Sequence, residues 1–233
     1  MAKMPQHKRP LELLCRSHDP KVLLGFFRAL EEEMVAATAD AARVVPEASV
    51  PSAKQARGVL RRHYIERAAR NAAARTGIEI GTGWNSLRNW SFPTILLGAF
   101  TLAIGIVSRP NLTAPQRLRT RSAYVAKLCS RNEPLNPQLS LFDEPVANLT
   151  TLIPDGAFGA MIVSEHSNNS PDIPTYLGVW IPSKDLRNKY HSYSFEEIFT
   201  YLRDNITTLK RPTRKAPVRK LPKLRKKPST DAK

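Results

Sequence analysis

The run Thr94–Val107, TILLGAFTLAIGIV, has 14 residues without a charge and is bounded by Pro93 and Arg109. A membrane-crossing helix needs about 20 apolar residues, so this run is too short to span a bilayer and must be buried inside the protein. From Phe100 the side chains alternate: Phe100, Leu102, Ile104 and Ile106 are large, while Ala99, Thr101, Ala103 and Gly105 are small. A period of two, rich in β-branched residues and broken by Gly98, predicts a strand pair or one long strand with the large face toward a core. No apolar stretch follows the basic N-terminal residues, so a secretory leader is not expected.

Helices are expected on both sides of that run. Asp19-Pro20 forms a helix start, with Asp at the N-cap and Pro in the first turn. Leu23, Phe26, Phe27, Leu30 and Met34 then recur at helical spacing, and the helix should end near Arg43, before Pro46. Ser52-Ala-Lys-Gln55 resembles a capping box and predicts a second helix to about Thr76, with Gly77 as its C-cap. Lys54, Arg57 and Arg61 share one face of that helix. With no clean apolar stripe, its alanines should supply propensity more than packing. Its basic side chains can follow phosphates or simply cover a solvated face. Gly81-Thr-Gly83 lacks the spacing and lysine of a phosphate loop, and is expected to be a turn beside packed Trp84 and Trp90. A third helix should start at Thr113 and end near Arg131, with Leu118, Val125 and Leu128 inward.

Toward the C-terminus, Ala157–Val163 and Thr175–Ile181 are strand-like and are separated by a polar, turn-rich loop. Ser194-Phe-Glu-Glu197 is another capping box, and Phe195, Ile198, Phe199, Leu202 and Ile206 make an apolar helical face. The expected class is α+β. Residues 1–131 form a helical region with the central strand pair, 132–150 an extended linker, 151–206 a β-β-α unit and 207–233 a disordered basic tail.

Charge sets this tail apart. The chain has 36 Lys+Arg against 20 Asp+Glu, a formal net charge of +16. Eleven of the bases lie in 207–233 (Lys210, Arg211, Arg214, Lys215, Arg219, Lys220, Lys223, Arg225, Lys226, Lys227 and Lys233), opposed only by Asp231. Pro212, Pro217, Pro222 and Pro228 block helix, and the like charges repel. An arm of this kind binds DNA or another polyanion by releasing counterions, without reading sequence and with steep salt dependence. Lys54, Arg57 and Arg61 are further candidate phosphate contacts.

The linker carries a short motif. Pro134, Pro137 and Pro145 hold it extended, and between them lies Gln138-Leu139-Ser140-Leu141-Phe142. QLSLF resembles the sliding-clamp-binding peptide of bacterial DNA replication and repair proteins, with no departure from the family's pentapeptide. The likeness covers only these residues. It implies that Gln138 is a polar anchor on the clamp of the DNA polymerase, Leu139 a first apolar contact, Ser140 a spacer, and Leu141 with Phe142 the main plug. Burying Leu139, Leu141 and Phe142 contributes roughly 1.5–3 kcal/mol each, offset by ordering, so the peptide alone should bind with on the order of micromolar affinity. Such a contact becomes useful when the same chain also holds DNA, because the second contact is then intramolecular. The alternative is that the three side chains pack on their own domain.

No enzymatic signature emerges. The five histidines have no metal-ligand spacing, and neither HExxH, CxxC nor a P-loop occurs, so no cofactor is expected. Glu165, His166 and Asp172 are read as a solvated loop, and Cys15 and Cys129 as buried structural thiols. The expectation is a cytoplasmic accessory of DNA replication or repair, phage- or plasmid-encoded or bacterial, with the clamp and DNA as partners and no membrane. The alternatives are a small metal-dependent nuclease delivered by the same contacts and an RNA- or ribosome-associated basic protein.

Overall fold

The computed structural model describes residues 9–46, 50–85, 87–108, 123–136, 153–167, 170, 172–186 and 188–206. The QLSLF motif, the start expected for the third helix and the tail 207–233 lie outside them. The elements, in order, are α1 (Arg9–Cys15), α2 (Pro20–Val44), α3 (Pro51–Thr76), β1 (Ile80–Trp84), β2 (Ser91–Leu97), β3 (Phe100–Ser108), α4 (Ala123–Cys129), a 3-10 helix (Ser130–Leu135), β4 (Phe158–His166), β5 (Pro174–Pro182), β6 (Lys189–Ser194) and α5 (Phe195–Asn205).

The six strands form one mixed sheet in chain order, so the fold is α+β. β1, β2 and β3 run as an antiparallel meander, and β4, β5 and β6 as a second. They join where β3 and β4 pair in parallel, from Phe100↔Phe158 to Ser108↔His166. Parallel neighbours require a crossover, and that role falls to the segment containing α4 and the 3-10 helix. The strand pair of 1–131 and the C-terminal strands therefore belong to the same sheet.

The apolar run is a hairpin, β2 and β3, turned at Gly98. Phe100 and Leu102 are buried as expected, on the face that carries α1, α2, α3 and α5. α2 begins with Asp19 accepting a hydrogen bond from Lys21 N at 2.9 Å. Phe27 of α2 meets Phe195 of α5 edge-on, with ring centroids 5.5 Å apart. The capping box forms: Ser194 Oγ accepts from Glu197 N at 3.2 Å, and Glu197 Oε2 accepts from Ser194 N at 2.6 Å. The opposite face carries a smaller cluster of Val107, Cys129, Met161, Val163, Trp180 and Leu186.

Several expectations are corrected. α3 starts at Pro51, and its N-cap Val50 makes no side-chain cap, so Ser52 does not form the capping box. Gly77 does close the helix in the left-handed region, at φ 70°. The α3 alanines are not mere propensity. Ala68, Ala69, Ala72 and Ala73 are buried in the core with Leu30, Met34 and Ala37 of α2, because small side chains let two helix backbones approach closely. Gly81 and Gly83 belong to strand β1 rather than a turn, and Trp84 is 53% exposed instead of packed. The β-β-α unit gains a third strand, β6. Its sequence KYHSYS has no apolar alternation, and it is recruited by main-chain pairing to β5. The polar loop between β4 and β5 is shorter than expected, since Ser164, Glu165 and His166 are strand residues.

Candidate functional site

The described frame around the clamp-like motif is built from both flanks of residues 137–152. Before it, Asn132 is fully buried and bonds on three sides. Its Nδ2 donates to Gly159 O at 2.8 Å and to Pro182 O at 2.7 Å, and its Oδ1 accepts from Gly159 N at 2.8 Å. This amide ties the 3-10 helix to the start of β4 and the end of β5. Pro134 lies within the 3-10 helix rather than in the extended linker expected from residue 132, and Asn136 N donates to Glu133 O at 3.0 Å to close the helix. After the motif, Arg16 donates to the Ile153 carbonyl and to Asp155 Oδ1 at 3.0 Å, and Ser17 Oγ donates to the same carboxylate at 3.1 Å. Gly156 N then donates to Gly98 O at 3.0 Å, just ahead of β4. Both flanks are therefore held near the N-terminal end of β4. Gln138, Leu139, Ser140, Leu141 and Phe142 lie outside the described residues, as do Lys210, Arg211, Arg214, Lys215, Arg219, Lys220, Lys223, Arg225, Lys226 and Lys227.

The third group of expected contacts is described, and the structure corrects two of its members. Arg57 is buried and donates from Nε to Val45 O at 2.9 Å and from Nη2 to Pro46 O at 2.7 Å. These carbonyls lie at the end of α2, where a cation complements the negative end of the helix dipole. Arg61 is also buried, and both its burial and the nearby Arg57 push its pKa down. Neither guanidinium stands at the surface to meet a phosphate, whereas Lys54 is exposed. Periodicity placed all three on one face. It could not show that Arg57 turns toward the α2–α3 connection or that Arg61 is buried.

Other α3 cations also have partners. Arg62 Nε donates to Glu66 Oε1 at 2.9 Å, and its guanidinium lies 5.0 Å from the Trp90 ring centroid. Arg75 reaches Glu32 at 3.2 Å and Glu33 at 3.4 Å on α2. Arg67 stacks over Tyr64 at 4.8 Å.

Glu165 and His166 are buried in β4, not solvated. Between them the β4–β5 register shifts. His166 Nε2 is 2.7 Å from Ser164 Oγ, while its Nδ1 is buried and makes no hydrogen bond among the described residues. Burial, helped by Arg61, lowers the His166 pKa to about 3. An imidazole so reluctant to take a proton is a poor base for activating Ser164. Between about pH 6.5 and 3 the unfolded chain binds a proton there that the folded chain refuses, so stability falls as the pH falls through that window. The expected loss on going from pH 7 to pH 4.5 is roughly 2–3 kcal/mol. Urea unfolding of the parent and His166→Gln at pH 7 and pH 4.5 checks it. The parent should lose more stability than the variant, and equal losses would refute the assignment.

Cys15 and Cys129 are buried with thiols pushed up to about 12, too high for nucleophilic chemistry at neutral pH. Among the described residues, no group of three or more His, Cys, Asp or Glu side chains can hold a metal ion. Nor is any described helix long and apolar enough to cross a membrane. Compared with protein-family models, curated proteins and solved structures, the chain matches none.

Proposed function

We propose that the protein is an accessory of DNA replication or repair that docks on the bacterial sliding clamp through Gln138–Phe142 and holds DNA without sequence preference through the basic residues of 207–233. The observation that carries this reading is the complete pentapeptide QLSLF between Pro137 and Pro145. Two features support it. The flanks of 137–152 are held near the same end of the sheet, by Asn132 and by Arg16 with Asp155. A peptide tethered at both ends loses less conformational freedom on binding than a free one. The second feature is charge: the 207–233 segment holds eleven of the 36 basic residues, which suits a second, intramolecular contact with DNA threaded through the clamp.

The test is retention of the purified full chain on immobilised sliding clamp. Leu141→Ala with Phe142→Ala removes most of the apolar burial, about 3–5 kcal/mol, and should reduce binding below detection. Clamp binding that survives the double change, or no binding by the parent chain, ends the proposal.

A further inference from the structure

The tip of the β1–β2 hairpin presents a second surface, independent of the clamp motif and of the tail. Residues 1–205 contain 25 basic and 19 acidic residues, but the excess is local: 51–91, which is α3 with the hairpin, has eight Lys and Arg against Glu66 and Glu79, whereas the remainder is balanced at seventeen of each. The net positive charge of residues 1–205 therefore equals that of this one stretch. Arg57 and Arg61 are buried within it, and Arg62 and Arg88 remain exposed.

Aromatic rings lie among these cations. Ile80, Thr82 and Trp84 alternate onto one face of β1, and Ile80 packs against the helix-side core. Trp84 thus points to the side of the sheet that carries α3, and it stays 53% exposed. Trp90 closes the hairpin on the same side, with His63 at 4.6 Å and Arg62 at 5.0 Å from its ring. Glu66 engages only Nε of Arg62 among the described residues.

The loop between them is organised. Asn85 N donates to Trp90 O at 3.0 Å, Asn85 Oδ1 accepts from Asn89 N at 3.1 Å, and Asn85 Nδ2 donates to Asn89 Oδ1 at 2.6 Å. This frame holds Arg88 at φ 53°, a conformation in which glycine would be less strained, so the tip carries a guanidinium at some conformational cost.

From these features we infer that Trp84, Trp90 with Arg62 and His63, and Arg88 form a stacking platform for single-stranded DNA. Unpaired bases expose π faces that indole rings can cover, and the strand's phosphates suit Arg62 and Arg88. A duplex hides those faces, so charge alone would attract it. The inference extends the DNA half of the proposed function and requires nothing of the clamp motif.

Tryptophan fluorescence reports on the platform directly. Of the three tryptophans only Trp180 is fully buried, so quenching by a bound strand reads Trp84 and Trp90. The full chain is titrated with a thymidine oligonucleotide of about 20 nucleotides, and binding is followed in parallel by anisotropy of a labelled strand. The parent should show saturable quenching, and Trp84→Ala should lose most of it and weaken binding about 5- to 30-fold. Trp84→Phe should retain affinity within about threefold, and Arg88→Gly, which suits the backbone, should lower the salt slope by about one. Binding without quenching, unmoved by Trp84→Ala, would overturn the platform and leave the tail as the DNA contact. Equal quenching by a duplex of the same length would overturn stacking. Weaker clamp retention of Trp84→Ala with unchanged oligonucleotide binding would make the tip a protein contact and also overturn it. No binding of any strand would remove the DNA half of the proposed function as well, while clamp retention stands or falls by its own test.

Discussion

Asn132→Ala should lower stability by about 3–5 kcal/mol, the largest single-residue effect expected in the described fold. The substitution removes two donors and one acceptor at a fully buried position and leaves Gly159 N, Gly159 O and Pro182 O without those partners. A buried polar group stripped of its hydrogen bond costs about 1–3 kcal/mol, and here three are stripped at once. In a chain of this size the thermal midpoint should drop by roughly 10 °C. Asn132→Asp separates lost bonding from lost volume. It keeps the size and the acceptor for Gly159 N but sets a carboxylate against two carbonyl oxygens, so at neutral pH it should be at least as damaging as alanine. Acidification should restore part of the loss, because the protonated acid can donate once. Thermal melts of parent and both variants check this, and an alanine variant within about 1 kcal/mol of the parent would refute the network's role.

The second large effect is expected at Gly98. It turns the β2–β3 hairpin at φ 54°, and a Cβ there would stand 2.1 Å from Leu13 O and 2.7 Å from Leu14 O. Those carbonyls end α1, whose Leu13 O accepts from Ala99 N at 2.9 Å. Gly98→Ala therefore combines left-handed strain of about 1–2 kcal/mol with a main-chain clash that no rotamer change relieves. The expected loss is about 3–4 kcal/mol, with α1 displaced from the hairpin. Gly58→Ala is the control: among the described residues, no atom beyond its chain neighbours and its own helix backbone lies within 4 Å of the added Cβ, and in mid-helix it should stabilise by a few tenths to about 1 kcal/mol. Chemical unfolding measures both, and equal effects of the two changes would contradict the packing described.

Elements with strong local signals were legible before the structure. α2 and α5 announce themselves through Asp19-Pro20, the Ser194–Glu197 box and clean apolar faces, and they occupy Pro20–Val44 and Phe195–Asn205. The alternation after Gly98 marks β3. By contrast β1, IGTGW, and β6, KYHSYS, are edge strands with mixed burial. Their main-chain bonds come from a neighbour distant in side-chain character, so no periodic pattern identifies them. The α3 alanines also misled, because alanine has the same high helix propensity whether or not a second helix lies against it.

Of the candidate contacts, QLSLF and the basic tail are legible because their proposed chemistry is carried by residue identity in consecutive order. The arginines of α3 required three dimensions. The same side chain caps α2 at Arg57, leans on Trp90 at Arg62 and pairs with Glu32 and Glu33 at Arg75. Sequence by itself determined the starts of α2 and α5, the buried strand and the uneven charge, since those follow from interactions between near neighbours along the chain. Only the tertiary structure decided the parallel β3–β4 pairing that unites the sheet, the burial of Arg57, Arg61 and His166, and the exposure of Trp84. Each of these depends on which distant element comes to lie against the residue, and that element sets the local dielectric, the hydrogen-bond partner and the access of water.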